Sequence, residues 1–335
     1  MLTSRKPAGV GIGWKPPVYL KPGDTVAVSV TGLGTLTNRI ADSQSSNPTV
    51  EQVQAVSHLR MNNHGKVPEV EFLTQINNKQ LYYKSLGQAR DNHNIVFVHG
   101  LGGSTEVFLP LIETLRLEPM YRRNRMHLFD LEGHGLSPTS PLSKLSIESF
   151  AEDLNGVFEH ANISSSVTII AHSMGCLIAV EFASRHPSKV HKLILIDAPE
   201  APLDISQRQV MRARVETART RGMLAIANGV ANYDLPLEME TSNPLAVAAV
   251  RSSLLSQDPE SYAKACTALA EAKLPILEND KIEIAMVVGS AIYPAYPKWI
   301  PIKNETPIHV LGSAGCWHVL ADLQGVATAM RKFLN

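Results

Sequence analysis

Cysteine is scarce in this 335-residue sequence: Cys176, Cys266 and Cys316 are the only ones. An odd, sparse count in so long a chain argues against a disulfide framework and favours a reducing compartment, here the cytoplasm. An excess of one charge is also missing, since 31 Lys and Arg balance 31 Asp and Glu. A nucleic-acid surface needs a basic excess, so no nucleic-acid partner is expected. Long apolar runs are absent too. The longest are strand-like stretches such as Val190–Ile196, too short to cross a bilayer, so no membrane partner is expected. Residues 1–19 hold several Gly and Pro and no apolar core, which argues against a secretory leader. What is present is ordinary globular composition, 44% hydrophobic and 19% charged, which excludes a disordered chain. The length allows one large domain or two small ones.

The first 43 residues read differently from the rest. Lys21-Pro22-Gly23-Asp24 is a turn signal, Val26, Val28 and Val30 alternate at strand period, and Thr35 to Ile40 returns as a second strand after Gly32-Leu33-Gly34. The stretch from Pro7-Ala8-Gly9-Val10-Gly11 through Lys15-Pro16-Pro17 to Asn38 resembles the C-terminal end of the fumarylacetoacetate hydrolase family. That family's metal-binding carboxylates lie upstream of the matched stretch, so none carries over. Glu69 and Glu71 imitate a carboxylate pair but follow the segment, and they read as one charged strand face. Residues 1–43 are therefore expected to be an appendage without chemistry of its own. Residues 44–68 have linker composition, with His58 and His64 exposed and structural.

From residue 69 onward, short apolar runs alternate with segments of helical period. Strands are expected at 70–76, 81–85, 94–98, 126–129, 167–171, 192–196, 284–288 and 308–311. Helices fall between them, one of them capped by Ser146. Such alternation predicts a mostly parallel sheet covered on both faces. Residues 203–275 break it and read as helical throughout, an inserted cap.

The chemistry concentrates in Val167-Thr-Ile-Ile-Ala171-His172-Ser173-Met174-Gly175, a strand, a sharp turn with Ser at its tip, and a helix. This resembles the nucleophile elbow of the α/β-hydrolase superfamily, with Ala171 replacing a more usual Gly. His99-Gly100-Leu101-Gly102-Gly103 resembles that superfamily's oxyanion loop, and Asp130-Leu131-Glu132-Gly133-His134-Gly135-Leu136-Ser137 its following segment, in which His134 is structural. Arg221 to Ala227 and Asp258 to Cys266 resemble the caps of 3-oxoadipate enol-lactonases. The resemblance implies an α/β-hydrolase fold over residues 69–335. It also implies a Ser173 nucleophile with the Leu101 and Met174 N–H groups as oxyanion donors, and no metal or organic cofactor.

Two positions depart from the pattern. Ile292 stands where the triad Asp is usual, and Cys316 stands where the His is usual, with His318 two residues on. Two extended residues span about 7 Å, enough to miss a hydrogen bond unless the loop tightens. Asp197, one strand earlier, is the replacement acid; Glu305 is the weaker alternative. A buried Cys316 is a poor base at neutral pH. The reading is a serine hydrolase of a small ester, enol-lactone or related carbonyl compound, using Ser173, His318 and Asp197. A non-hydrolytic lyase, isomerase or cyclase on the same fold, or a decayed binding protein, stays open beside it. The arginines 208, 212, 214, 219 and 221 read as a solvated helix face or as a contact for a carboxylate-bearing substrate. The sequence leaves the oligomeric state open.

Overall fold

The computed structural model describes residues 21, 23–30, 34–39, 73–87, 93–115, 124–236, 238–273, 276–277, 281–290, 297, 299–301, 306–312 and 315–334. The expectations placed on residues 44–68, Glu69, Glu71, Ile292 and Glu305 fall outside them. The chain divides into two units, 1–70 and 71–335. In the first, β1 (Thr25–Val30) and β2 (Gly34–Arg39) form an antiparallel hairpin, with Thr25 opposite Arg39 and Val30 opposite Gly34. The turn before it is closed by Asp24, whose side chain accepts from the Lys21 N–H at 2.7 Å.

The second unit is built on an eight-stranded sheet. Its strands are β3 (Leu73–Ile76), β4 (Lys79–Leu86), β5 (Asn94–Val98), β6 (Arg125–Phe129), β7 (Val167–His172), β8 (Val190–Ile196), β9 (Glu283–Gly289) and β10 (Ile308–Leu311). The spatial order is β10-β9-β8-β7-β5-β6-β4-β3; the β3–β4 and β4–β6 pairs are antiparallel and every other neighbouring pair is parallel. The central strand β7 is buried at every position. That is what a parallel strand covered on both faces requires, and it is why its sequence reads as an apolar run rather than an alternation.

The helices are α1 (Leu109–Leu115), α2 (Ile147–His160), α3 (Met174–Arg185), α4 (Ile205–Tyr233), α5 (Met239–Ser242), α6 (Pro244–Leu255), α7 (Pro259–Ala270), α8 (His318–Ala321) and α9 (Leu323–Phe333). Their starts follow capping chemistry. Ser146 and Ser149 form a reciprocal capping box on α2, Asp204 and Gln207 do the same on α4, and Asp258 accepts from the Ser261 N–H on α7. Helices α4 to α7 lie between β8 and β9 in sequence. They are tied to the sheet's loops by polar contacts: Ser253 Oγ donates to the Gly102 carbonyl at 2.7 Å, and Lys264 Nζ donates to the Ser140 and Pro141 carbonyls, each at 2.9 Å.

From β5 the chain runs through α1 to β6 on one side, then through α2 back to β7 on the other. The order thus reverses at β5, and the loops after β5 and β7 meet at the sheet's carboxyl edge, where such folds open a crevice. The approach is close. A Cβ on Gly175 would lie 2.3 Å from the Val98 carbonyl oxygen and 2.7 Å from that of His99. Gly175→Ala is therefore expected to destabilise the protein by about 2–3 kcal/mol, the upper end of overpacking costs. A denaturation midpoint unchanged from wild type would contradict this.

Candidate active site

Ser173 ends β7 and caps α3 with φ 51° and ψ −124°, a backbone conformation that a side-chain-bearing residue adopts only under strain. The strain is held by backbone bonds. The Ser173 N–H donates to the Ile196 carbonyl at 2.9 Å, and its own carbonyl accepts from the Cys176 N–H at 2.8 Å. Ser173 is half-buried, and no hydrogen bond joins its Oγ to another described residue. Gly100 packs on it so tightly that a Cβ there would be 2.8 Å from the Ser173 Cβ.

Leu101 follows Gly100 on the β5 loop, and Met174 is the first residue of α3. Among the described residues neither N–H donates a hydrogen bond, and the Met174 N–H sits at a helix N-terminus, which favours developing negative charge. The loop is set from two sides. His99 Nε2 accepts from the Leu131 N–H at 3.0 Å, which puts the ring proton on Nδ1, donated to the Gly100 carbonyl at 2.9 Å. From the cap, Gln257 Nε2 donates to the Gly102 and Gly103 carbonyls at 3.3 and 3.4 Å. Burial holds His99 well below the ordinary histidine value and His134, edge-on to it, at about 4. Both rings are neutral parts of the scaffold. Asp130 is equally structural: it accepts from the Thr105 and Leu136 N–H groups at 2.6 and 2.8 Å.

Asp197 ends β8 with φ 53° and is buried. Its carboxylate accepts twice from one residue, from His318 Nδ1–H at 2.7 Å and from the His318 backbone N–H at 3.2 Å. The sequence shift at Cys316 is absorbed in the loop between. Gly315 turns at φ 66°, Cys316 presents its carbonyl to His172 Nε2–H at 2.8 Å, and His318 opens α8 with its ring directed at Asp197.

The expected contact between His318 and Ser173 is not made in this conformation. His318 Nε2 donates instead to the Gly312 carbonyl at 2.8 Å, and the ring is fully buried against Gly289. A ring flanked by a carboxylate and a carbonyl has two acceptors to satisfy, so both nitrogens carry protons. Burial opposes that charge, but the Asp197 carboxylate and the Gly312 carbonyl outweigh it and raise the His318 pKa. His172 differs. It is buried 3.7 Å from the Asp197 carboxylate, yet burial dominates and its pKa is lowered. Burial pushes the Cys316 thiol up to about 12, so it is no base. Sequence reasoning missed the Gly312 carbonyl and the His172 tie to Cys316. Both are contacts to backbone carbonyls, which no residue type advertises.

No group of three or more His, Cys, Asp or Glu suited to a metal occurs among the described residues. A cleft of about 610 Å³ opens where β8, β9 and β10 begin, lined by Lys192, Glu283, Ile308, His309 and Lys332 among others. It lies at the amino-terminal edge of those strands, the opposite end from Ser173.

Residues 94–221 match the family described as the alpha/beta hydrolase fold. The chain is 26% identical to 3-oxoadipate enol-lactonase 2 of Acinetobacter baylyi over 213 residues, 63% of this chain and 75% of that protein. Other curated relatives are matched over less than half of their length. A thermophilic esterase from Thermogutta terrifontis superposes with a TM-score of 0.67 at 24% identity, covering 78% of this chain and 96% of that one. The enol-lactonase of Burkholderia xenovorans superposes with a TM-score of 0.66 at 22% identity, covering 78% and 99%.

The two-acceptor setting of His318 yields a measurable expectation. Its folded pKa is raised above the unfolded value of about 6.5. The stability it contributes is therefore fully present below that value and is lost as pH rises through the folded pKa. Histidine resonances followed by NMR are expected to show one ring titrating above 6.5, assigned through its disappearance in His318→Ala. In Asp197→Asn that midpoint should fall. A midpoint at or below 6.5 in the native protein would refute the two-acceptor assignment.

Proposed function

Because the chain has the α/β-hydrolase fold and the proteins it matches are hydrolases, we propose that it is a serine hydrolase of a small ester, enol-lactone or related carbonyl compound. The observation that carries this reading is Ser173 held in strained backbone at the sheet's carboxyl edge, near two N–H groups that donate to no described residue. In this reading Ser173 Oγ attacks the acyl carbon, and the Leu101 and Met174 N–H groups take up the charge on the carbonyl oxygen. His318 first gives up the Gly312 carbonyl and its Nε2 proton, then accepts the Ser173 proton and returns it to the leaving group. Asp197 keeps the ring in register throughout. The acyl-enzyme is released by water through the same steps. Residues 203–275 act as the cap over this edge. Residues 1–43, which resemble the end of the fumarylacetoacetate hydrolase family, are an appendage joined by a linker at 44–68.

A second reading has its own observation. His318 Nε2 is committed to Gly312 rather than to Ser173. That arrangement suits a non-hydrolytic enzyme or a binding protein that keeps the oxyanion donors without a working base.

Labelling with a fluorophosphonate separates the two. The hydrolase is expected to be labelled at Ser173 and to lose labelling in Ser173→Ala. Asp197→Asn is expected to lower kcat on the order of 10⁴-fold, because the carboxylate fixes the ring. Turnover should rise with pH on one limb, as His318 loses its extra proton, with a midpoint above 6.5. Absence of both labelling and ester turnover would leave the second reading.

A further inference from the structure

The Leu101 N–H donates to no described residue, so its direction is set by the peptide it belongs to. The Gly100–Leu101 peptide is trans, and a trans peptide points its N–H opposite its carbonyl. The Gly100 carbonyl is held by two donors, His99 Nδ1–H at 2.9 Å and the Gly103 N–H at 3.0 Å. The second of these closes a turn over residues 100–103, with Gly102 at φ 72°. The Gly103 N–H in turn shares a trans peptide with the Gly102 carbonyl. The cap takes that carbonyl: Ser253 Oγ donates to it at 2.7 Å and Gln257 Nε2 at 3.3 Å. Two peptide planes, joined by one hydrogen bond, therefore link the cap side chains to the Leu101 donor. Hydrogen bonds in such a chain polarise one another.

Both cap residues are turned toward this loop. A serine inside a helix often bonds back to its own helix, four residues earlier. Ser253 instead donates outward, across to Gly102. Gln257, just past the end of α6, is buried. Its Nε2 donates to the Ser253 carbonyl at 2.8 Å and shares its second proton between the Gly102 and Gly103 carbonyls. Its Oε1 accepts from the Gly135 N–H at 3.3 Å. One side chain thus ties together the loop after β5, the loop after β6 and the end of α6. Packing keeps the contact close, since a Cβ on Gly102 would lie 2.6 Å from Leu254 Cδ2 and 3.3 Å from the Tyr262 ring. Leu254 and Tyr262 supply contact; Ser253 and Gln257 supply direction.

We propose that Ser253 and Gln257 are positioning residues for the oxyanion donor, so that seating of the cap on the 100–103 turn sets the direction of the Leu101 N–H. This rests on the hydrolytic reading of Ser173, in which that N–H takes up charge from the acyl carbonyl. With the cap lifted, the Gly102 carbonyl loses both side-chain donors. The Gly102–Gly103 peptide is then free to rotate, and with it goes the bond that aims Leu101. The site is competent only while the cap is seated.

The test uses p-nitrophenyl acetate as substrate and phenylboronic acid as a mimic of the tetrahedral intermediate. In the double variant Ser253→Ala with Gln257→Leu, kcat is expected to fall about 100-fold with KM little changed, the scale for a group displaced by about an ångström. Boronate affinity should fall in parallel with kcat/KM. Ser253→Thr keeps the hydroxyl and should keep most of the turnover. Arg219→Met breaks the surface pair with Glu260 without touching the turn, so it reports general loosening of the cap and should match wild type. Circular dichroism reports whether each variant folds; if the double variant does not, the single variants decide. Turnover unchanged in a folded double variant, or lost equally in Arg219→Met, would overturn the proposal. If no ester is turned over and no fluorophosphonate is taken up, the hydrolytic reading fails on its own. The Leu101 amide resonance then decides for the cap: a shift in Ser253→Ala that Ser253→Thr restores supports the proposal, and an unchanged resonance overturns it.

Discussion

The site depends on one close approach, between the end of β5 and the turn after β7. Gly175 sits where any Cβ would collide with the Val98 and His99 carbonyls, and Gly100 lies directly on the Ser173 side chain. Because the two backbones touch, α3 begins where β5 ends, and the first N–H of that helix points along the sheet's carboxyl edge. Ser173 is forced into left-handed backbone by the same contact. The cost, about 1–3 kcal/mol for such a conformation, is offset by the buried apolar residues of the strands on either side, Ile95–Val98 of β5 and Leu193–Ile196 of β8. A larger residue at 100 or 175 would separate the loops.

Electrostatics at the sheet edge divide along burial and partner. His99, His134 and His172 are buried without a dominant anion, so burial keeps them neutral. Such rings contribute stability that is present above the ordinary histidine value and lost as pH falls through their folded values. His318 runs the other way, because Asp197 meets both its ring and its backbone N–H. The two classes oppose each other around neutrality: acid favours the His318 pair and strains the other three. Asp197 lies near two histidines but serves one. The 3.7 Å separation from His172 Nε2 is longer than a hydrogen bond, and that proton goes to Cys316 instead.

Much of this was legible in the sequence because it is written in local chemistry. The apolar run of β7, the small residue at 175 and the cap at Ser146 each follow from backbone demands within a few residues. The pairing of Asp197 with His318 joins residues 121 apart. The sequence offered it only as a replacement for a missing acid, with Glu305 as its rival. The Gly312 carbonyl was not legible at all, since every residue carries one and only the fold decides which faces a ring. The α4 arginines were ambiguous for a related reason. Helical spacing treats Arg214 and Arg221 alike, and only the break at Gly222 separates them by turning Arg214 toward Asp234.

The two departures from the superfamily pattern are one displacement seen twice. With Ile292 at the usual acid position, a carboxylate comes from β8 instead, one strand nearer β7. Moving the histidine two residues onward, past the Gly315 turn, places it at the start of α8, where both its ring and its backbone N–H face Asp197. Asp197 and His318 thus meet at 2.7 Å, while the other ring nitrogen faces Gly312 rather than Ser173. Gly312 holds the ring there through one carbonyl. Exchanging that carbonyl for a serine hydroxyl also requires the ring to shed its Nε2 proton, so the change is larger than the trade of one neutral hydrogen bond for another, which is about 1 kcal/mol.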